Sequence, residues 1–143
     1  MSEGQSGLIL LDTHVWVWLV SGHERLAPPR ISAALQKGVT NSSLRIAAIS
    51  LWEVAMLESK DRIGFGVPVL EWMKHATSAP GISISPLSME VAAESASLPG
   101  KFHGDPADRI IVATARVLRA LLVTADQKII EYGRDGFLNV LAV

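Results

Sequence analysis

The sequence predicts a three-layer α/β/α fold, in which helices cover both faces of a mainly parallel central sheet of about five strands. Short apolar segments alternate along the chain with longer segments of helical periodicity. This alternation is typical of parallel sheets, because two neighbouring parallel strands need a crossover connection that is usually a helix. The first, second and fourth apolar segments also show little polar alternation, as expected for strands buried on both faces.

Five short segments rich in Leu, Ile and Val are predicted strands: Leu8–Leu11, Leu44–Ile49, Ile82–Ser85, Leu121–Thr124 and Leu138–Val143. Seven further segments are predicted helices: Thr13–Leu19, Pro28–Gln36, Ser50–Ser59, Pro68–Ala76, Ser88–Leu98, Pro106–Arg119 and Asp126–Tyr132. The sixth helix has the clearest helical period of apolar residues. The seventh is expected to stop at Gly133.

Length and composition indicate one folded domain. The chain has 143 residues, of which 49% are hydrophobic, so it can bury a substantial core. We place the domain at residues 8–143 and expect the polar residues 1–7 to be disordered. The chain contains no Cys, which excludes disulfides, thiolate zinc sites and a Cys nucleophile.

Nothing in the sequence predicts a membrane segment. The N-terminal residues lack the basic and long apolar regions of a signal peptide. The apolar run Leu8–Val20 is too short to span a bilayer and is interrupted by Asp12 and His14. We therefore expect a soluble, cytoplasmic protein. Because the formal net charge is −1, RNA binding would require a local basic face.

Acidic residues stand at the junctions of the predicted elements. Asp12 ends the first strand, Glu53 lies in the first turn after the second, and Asp126 follows the fourth. Ligands of open parallel α/β sheets bind at the carboxyl ends of the strands, where these three acids fall. Asp105 and Asp108 open the long helix that leads into the fourth strand, so only tertiary structure can bring them to the same place.

A cluster of these carboxylates would be a candidate metal site. Converging carboxylates repel one another and raise one another's pKa, and a divalent cation would keep them ionised. An all-oxygen ligand set without Cys suits Mg²⁺ or Mn²⁺.

Each acid also has a local structural explanation as a helix cap. Asp12 and Asp126 could cap the helices that follow them, and Asp105 could be the N-cap before Pro106. The segment from Ser50 to Glu53 has the pattern of a capping box. Capping and metal binding can coexist, so both explanations stay open residue by residue.

Taken together, the motifs resemble those of PIN domains, and most closely the VapC-type toxins of bacterial toxin–antitoxin pairs. The resemblance runs in order over nearly the whole chain from Leu8. It is carried by the segments LLDTHVW (Leu10–Trp16), ISLWEVAML (Ile49–Leu57), RIGFGVPVLEW (Arg62–Trp72), HGDPADRIIVATA (His103–Ala115) and LLVTADQ (Leu121–Gln127).

The resemblance implies a PIN-like α/β/α domain that hydrolyses RNA with the help of Mg²⁺ or Mn²⁺. It implies that Asp12, Glu53 and Asp108 are the core acids, Asp126 is a fourth, and Asp105 takes a lesser part in metal binding. It also implies a homodimer and a VapB-type antitoxin as protein partner. We expect Asp12 and Asp108 to contact the metal directly.

RNA contacts need cations near the carboxyl ends of the strands. The candidates are Arg109, Lys101, Arg116 and His103, with Lys60 and Arg62 as further choices. Structural explanations compete with two of these: an ion pair at Arg109 and a solvated helix face at Arg116.

The remaining tempting residues are His14 and four tryptophans. His14 could be a ligand or base, although packing beside the strand end explains it as well. The tryptophans could stack on bases, but at helical positions beside Val and Leu they more often pack in a core or an interface. They are Trp16, Trp18, Trp52 and Trp72.

Two other functions remain alternatives. A receiver or aspartyl-phosphate phosphatase domain also carries acids at strand ends. The phosphatase would need a second Asp where His14 stands. The receiver would need a paired acid before the first strand and a lysine after the last, and neither is evident. The other alternative is an α/β binding module without catalysis, against which the complete set of acids argues.

Overall fold

The computed structural model describes residues 6–143. Its five strands form one sheet in the order β3-β2-β1-β4-β5, and all four strand pairings are parallel. The strands are β1 (Ile9–Leu11), β2 (Leu44–Ala47), β3 (Ile82–Ser85), β4 (Leu121–Thr124) and β5 (Asn139–Ala142). The predicted α/β class and parallel five-stranded sheet are confirmed.

Every predicted helix is present, with ends that differ by a few residues. The helices are α1 (Thr13–Ser21), α2 (Pro29–Thr40), α3 (Ala48–Ser59), α4 (Val69–Thr77), α5 (Met89–Ala96), α6 (Pro106–Leu118) and α7 (Gln127–Arg134). A short 3₁₀ helix at Glu24–Leu26 was not predicted. The expected stop at Gly133 is one residue too early, because α7 continues to Arg134.

The sheet separates two apolar cores, which makes the three layers. In β1, Ile9 and Leu11 point into one core with residues of α1, α2, α3 and α4. Leu10 points into the other core, formed mainly with α5, α6 and α7. Successive side chains of a strand point to opposite faces, so a strand covered on both faces is apolar throughout.

The strand order creates a switch point beside β1. The chain builds β2 and β3 on one side of β1 and then returns to build β4 and β5 on the other. Helices that leave β1 and β4 therefore diverge, and the crevice at their carboxyl ends is the place where such sheets bind ligands.

The capping box predicted at Ser50 is wrong. Helix α3 begins at Ala48, and its N-cap residue, Ala47, makes no side-chain capping bond. The predicted second strand is accordingly two residues too long. Ser50 is fully buried within the first turn, where its hydroxyl lies 2.8 Å from that of Thr13. A tertiary partner has replaced the local one that the sequence pattern suggested.

The predicted disordered segment covers residues 1–7, and residues 1–5 lie outside the described part of the chain. The Ser6 amide and hydroxyl both donate to the Arg119 carbonyl, at 3.2 and 3.0 Å. The domain boundary at residue 8 stays a prediction. Within residues 6–143, no helix has the length and apolar character required to cross a bilayer.

Candidate active site

A cavity of about 440 Å³ opens where β1 and β4 end. All five acids singled out in the sequence line it. The complete lining is Asp12, Thr13, His14, Trp18, Glu53, Asp105, Asp108, Ala125 and Asp126. The fold thus brings together carboxylates that lie more than 110 residues apart in the sequence.

Asp12 is held by hydrogen bonds to both of its carboxylate oxygens. It follows β1 as the N-cap of α1, and its Oδ1 accepts from the Thr13 amide at 2.9 Å. The buried Thr124 hydroxyl, at the end of the neighbouring strand β4, donates to Oδ2 at 2.6 Å. These two donors fix the orientation of the carboxylate.

Glu53 extends into the cavity from α3, and a chain of two hydroxyl groups orients its carboxylate. The Thr13 hydroxyl donates to Glu53 Oε1 at 2.6 Å. Because this uses the single hydroxyl proton of Thr13, the Ser50 hydroxyl must donate in their 2.8 Å bond. Ser50 therefore orients Thr13, which in turn orients Glu53.

Asp105 and Asp108 join the site because of the direction of α6. A helix that leads into a parallel strand runs antiparallel to it, so α6 begins at the edge of the sheet where the strands end. Asp105 is the N-cap of α6, and its Oδ1 accepts from the Asp108 amide at 2.8 Å. This is the tertiary argument that the sequence alone could not provide.

Asp126 is linked to Asp12 through Thr124. It is the N-cap of α7, with Oδ1 accepting from the Ile129 amide at 3.1 Å. Its own amide donates to Thr124 Oγ1 at 3.0 Å, and that hydroxyl donates to Asp12. Capping at Asp12, Asp105 and Asp126 is confirmed, and the same three side chains line the cavity.

Burial and mutual repulsion raise the pKa of three of the carboxyl groups. Burial is the largest cause for Asp12 and for Glu53, and hydrogen bonds from Thr124 and Thr13 partly oppose it. The pKa of Asp108 is raised to about 7 by burial and then by the charges of the other four acids. Among the described residues no Lys or Arg lines the cavity to offset this charge.

The donor set fits a hydrated divalent ion. Within residues 6–143, no group of three or more His, Asp or Glu side chains is arranged to hold a metal ion on its own. Mg²⁺ commonly keeps several waters and is bound by one or two carboxylates together with substrate phosphates. Five carboxyl groups line this one cavity, and their oxygens are of the type that such an ion and its bound waters require.

The cations predicted to contact RNA do not line this cavity. The Arg109 guanidinium donates to the carbonyls of Ser95 and Phe102, at 3.0 and 2.7 Å. Arg116, near the opposite end of α6, pairs with Glu94 at 2.6 Å and donates to the Phe137 carbonyl. The other four predicted cations are exposed outside the lining: Lys101, His103, Lys60 and Arg62.

Sequence reasoning missed the residues that support the acids. Thr13, Ser50 and Thr124 carry no charge and were not considered as site residues. The sequence signal that could have identified them is their position close to acids at the ends of predicted strands. Trp18, for which the sequence left base stacking and packing in a core or an interface open, is half-buried and lines the cavity, whereas Trp16 in the same helix is fully buried.

Fold and site together define an acidic α/β domain, and comparison with known proteins places it in a family. The PIN domain family model matches residues 9–135, so the chain belongs to the PIN-domain family. Ribonuclease VapC22 of Mycobacterium tuberculosis is 38% identical over 123 residues, which are 85% of this chain and 88% of that protein.

Solved structures share the fold at lower identity. VapBC2 from Rickettsia felis, bound to a DNA fragment from its promoter, has a TM-score of 0.67 at 19% identity, covering 94% of this chain and 98% of that one. A toxin–antitoxin complex from Klebsiella pneumoniae has a TM-score of 0.61 at 23% identity, covering 94% and 96%. These likenesses concern the fold alone.

Proposed function

We propose that this protein is a metal-dependent endoribonuclease, the toxin of a VapBC-type toxin–antitoxin pair. The observation that carries the proposal is the meeting of five carboxylates in one cavity at the switch point of the sheet. The likeness to a ribonuclease that is 38% identical over most of the chain supports the choice of RNA as substrate.

The acids have distinct roles in this proposal. The acids would hold Mg²⁺ or Mn²⁺, which would activate a water and stabilise charge on the phosphoryl and leaving oxygens. Asp12 and Asp108 are direct ligands, and Glu53 and Asp126 are ligands or acceptors for metal-bound water. Asp105 caps α6 and adds negative charge near Asp108.

The hydroxyl groups around the acids act as positioning groups. Thr124 orients Asp12, and the pair of Ser50 and Thr13 orients Glu53. Lys101 and His103 precede Asp105 in an exposed loop and are the predicted cations best placed to contact the RNA backbone. Arg109 and Arg116 are engaged in structural contacts and contribute less.

The partners follow from the same assignment. We propose a VapB-type antitoxin as inhibitory partner, a homodimeric state and a cytoplasmic location. Structural neighbours that are themselves toxin–antitoxin complexes support the antitoxin. The absence of Cys fits a reducing compartment.

An RNA cleavage assay with purified protein tests the proposal. Single-stranded RNA should be cut in the presence of Mg²⁺ or Mn²⁺ and remain intact in excess EDTA. The variants Asp12→Asn and Asp108→Asn should lose at least about a hundredfold in rate. The exposed Glu131→Gln on α7 is the matched control and should cleave like the wild type.

Two outcomes would refute parts of this assignment. Equal rates for Asp12→Asn, Asp108→Asn and the wild type would exclude these acids as ligands. Cleavage that persists in EDTA would exclude the metal. If the wild-type protein leaves all RNA intact, the non-catalytic binding module becomes the better explanation.

A further inference from the structure

We propose that His14 and Trp18 form an aromatic rim on one side of the acidic cavity, and that this rim stacks on a base of the RNA next to the scissile phosphate. The proposal rests on the proposed ribonuclease function. It assigns to the cavity a second kind of ligand contact, a nucleobase, beside the metal-bound phosphate.

The two side chains lie where such a base would be. Both line the same cavity as the acids. They are four residues apart in α1 and so share a face of that helix, with ring centroids 6.1 Å apart at an interplanar angle of 50°. His14 is exposed and Trp18 is half-buried, and because both line the cavity, each has part of its side chain open to a ligand there.

Packing against the core accounts for only part of the Trp18 side chain, which contacts that core from a half-buried position. Trp16 is fully buried in the same helix and packs against Trp72, with ring centroids 4.9 Å apart. Trp18 instead keeps part of its surface at the cavity wall. A second large aromatic residue on this helix is therefore placed for contact with a ligand.

Neighbouring side chains hold the Trp18 ring in place. The His23 ring stacks on it at 5.3 Å between centroids and an angle of 28°, and Arg25 Cζ lies 4.8 Å from its centroid. Arg25 is anchored in turn by a 2.9 Å hydrogen bond to the Val143 carbonyl. A ring that is already ordered loses little entropy when it binds a base.

The charge of the cavity favours recognition of a base. Five carboxylates repel an RNA backbone wherever the metal does not neutralise them. Stacking on an aromatic ring adds affinity without a countercharge and tolerates any base. Single-stranded RNA exposes its bases for such contacts. Arg25 adds a cation beside the Trp18 ring of the rim.

A double-mutant cycle between protein and RNA tests the rim. In a short RNA with a mapped cleavage site, single abasic nucleotides replace each residue flanking the scissile phosphate. In the wild type, one abasic position should lower kcat/KM about tenfold. On intact RNA, Trp18→Ala should lower kcat/KM by a similar factor, mainly by raising KM. The RNA that is abasic at that position should not lower kcat/KM of this variant any further.

Three controls separate stacking from structural damage. Trp52→Ala removes a tryptophan that is 55% exposed on α3 outside the cavity, and it should behave like the wild type. Trp18→Phe should keep most of the activity. If Trp18→Ala does not fold, His14→Ala replaces it, with an expected rise in KM of a few fold. Mn²⁺ affinity should stay unchanged in the two Trp18 variants, because Trp18 carries no charge.

The outcomes distinguish this inference from the function on which it rests. A wild-type protein that cleaves no RNA with Mg²⁺ or Mn²⁺ refutes the ribonuclease function. Cleavage by the wild type with the same abasic penalties in the rim variants refutes the rim alone. Loss of Mn²⁺ affinity in the Trp18 variants also refutes the rim, because it would assign Trp18 to the metal site.

Discussion

Burial, and after it the charges of the other four acids, raise the pKa of the Asp108 carboxyl group, and this has a consequence for stability. Its pKa is raised to about 7, so the folded protein without metal keeps a proton that the unfolded chain releases near pH 4. Between these values the folded state binds more protons, and the free energy of unfolding falls as pH rises. We expect a lower Tm in EDTA at pH 8 than at pH 5.5.

The variant Asp108→Asn isolates this effect. Asn cannot ionise, so at pH 8 the variant should be more stable than the wild type by roughly 1 kcal/mol, or about 4 °C in Tm, after allowance for solvent screening. Thermal melts monitored by circular dichroism at the two pH values measure it, with Asp135→Asn on the surface as control. An unchanged pH dependence in Asp108→Asn would contradict the assigned pKa.

Thr124 offers a second test at the level of single residues. Its buried hydroxyl donates to Asp12 and accepts from the Asp126 amide, so Thr124→Val keeps the shape and removes both hydrogen bonds. The ionised form of Asp12 then loses a charge-assisted hydrogen bond. We expect Mn²⁺ affinity and cleavage rate to fall about ten- to a hundredfold.

Thr124→Ser is the matched control, because it retains the hydroxyl. It should remain within about threefold of the wild type. Isothermal titration with Mn²⁺ measures the affinity of each variant. Equal affinities for the Val and Ser variants would show that the hydrogen bond does not support the site.

Among the elements, α6 shows how one residue can serve both a helix and a site. Asp105 caps α6, and its charge also raises the pKa of Asp108. Asp105→Asn keeps the capping oxygen without the charge, whereas Asp105→Ala removes both. We expect the Ala variant to be about 1 kcal/mol less stable than the Asn variant in chemical denaturation.

The same pair of variants measures the contribution of Asp105 to metal binding. If capping is the only role of Asp105, Asp105→Asn should bind Mn²⁺ nearly as well as the wild type. If it is a direct ligand, both variants should lose affinity equally. This comparison decides whether Asp105, which caps α6, is a metal ligand as well.

The elements also show which features a sequence can predict. Strand and helix order follows from apolar periodicity, and the predictions for β3 and β4 match the structure residue by residue. Apolar periodicity does not predict the start of α3, because the hydrogen bond between Ser50 and Thr13 joins residues that are 37 positions apart. Local patterns reveal local partners, and a tertiary partner can displace them.

For the whole molecule, the predicted site depended on topology more than on any motif. Asp12, Glu53 and Asp126 could be placed at one edge because parallel strands end together. The position of Asp108 could be predicted only with the direction of α6. The positions of the cations depend on side-chain contacts, such as those of Arg109 with two carbonyls, which the sequence does not show. The convergence of the acids was therefore predictable, whereas the structural partners of Arg109 and Arg116 were not.

Metal binding should couple this site to the stability of the whole domain. A divalent ion that binds only the folded state raises the free energy of unfolding by about 2.7 kcal/mol at a concentration a hundred times its Kd. For a chain of this size that corresponds to a rise in Tm of roughly 8–10 °C. Scanning calorimetry with Mg²⁺ or Mn²⁺, compared with EDTA, measures it.

The pH dependence and the variants give this prediction its specificity. Because the ligands must be deprotonated, the rise in Tm should be larger at pH 8 than at pH 6, below the pKa of about 7 of Asp108. Asp12→Asn and Asp108→Asn should abolish most of it, and Na⁺ at equal ionic strength should not reproduce it. The same rise in these variants would mean that the ion stabilises the protein from a different site, and the cluster of carboxylates would then need another explanation.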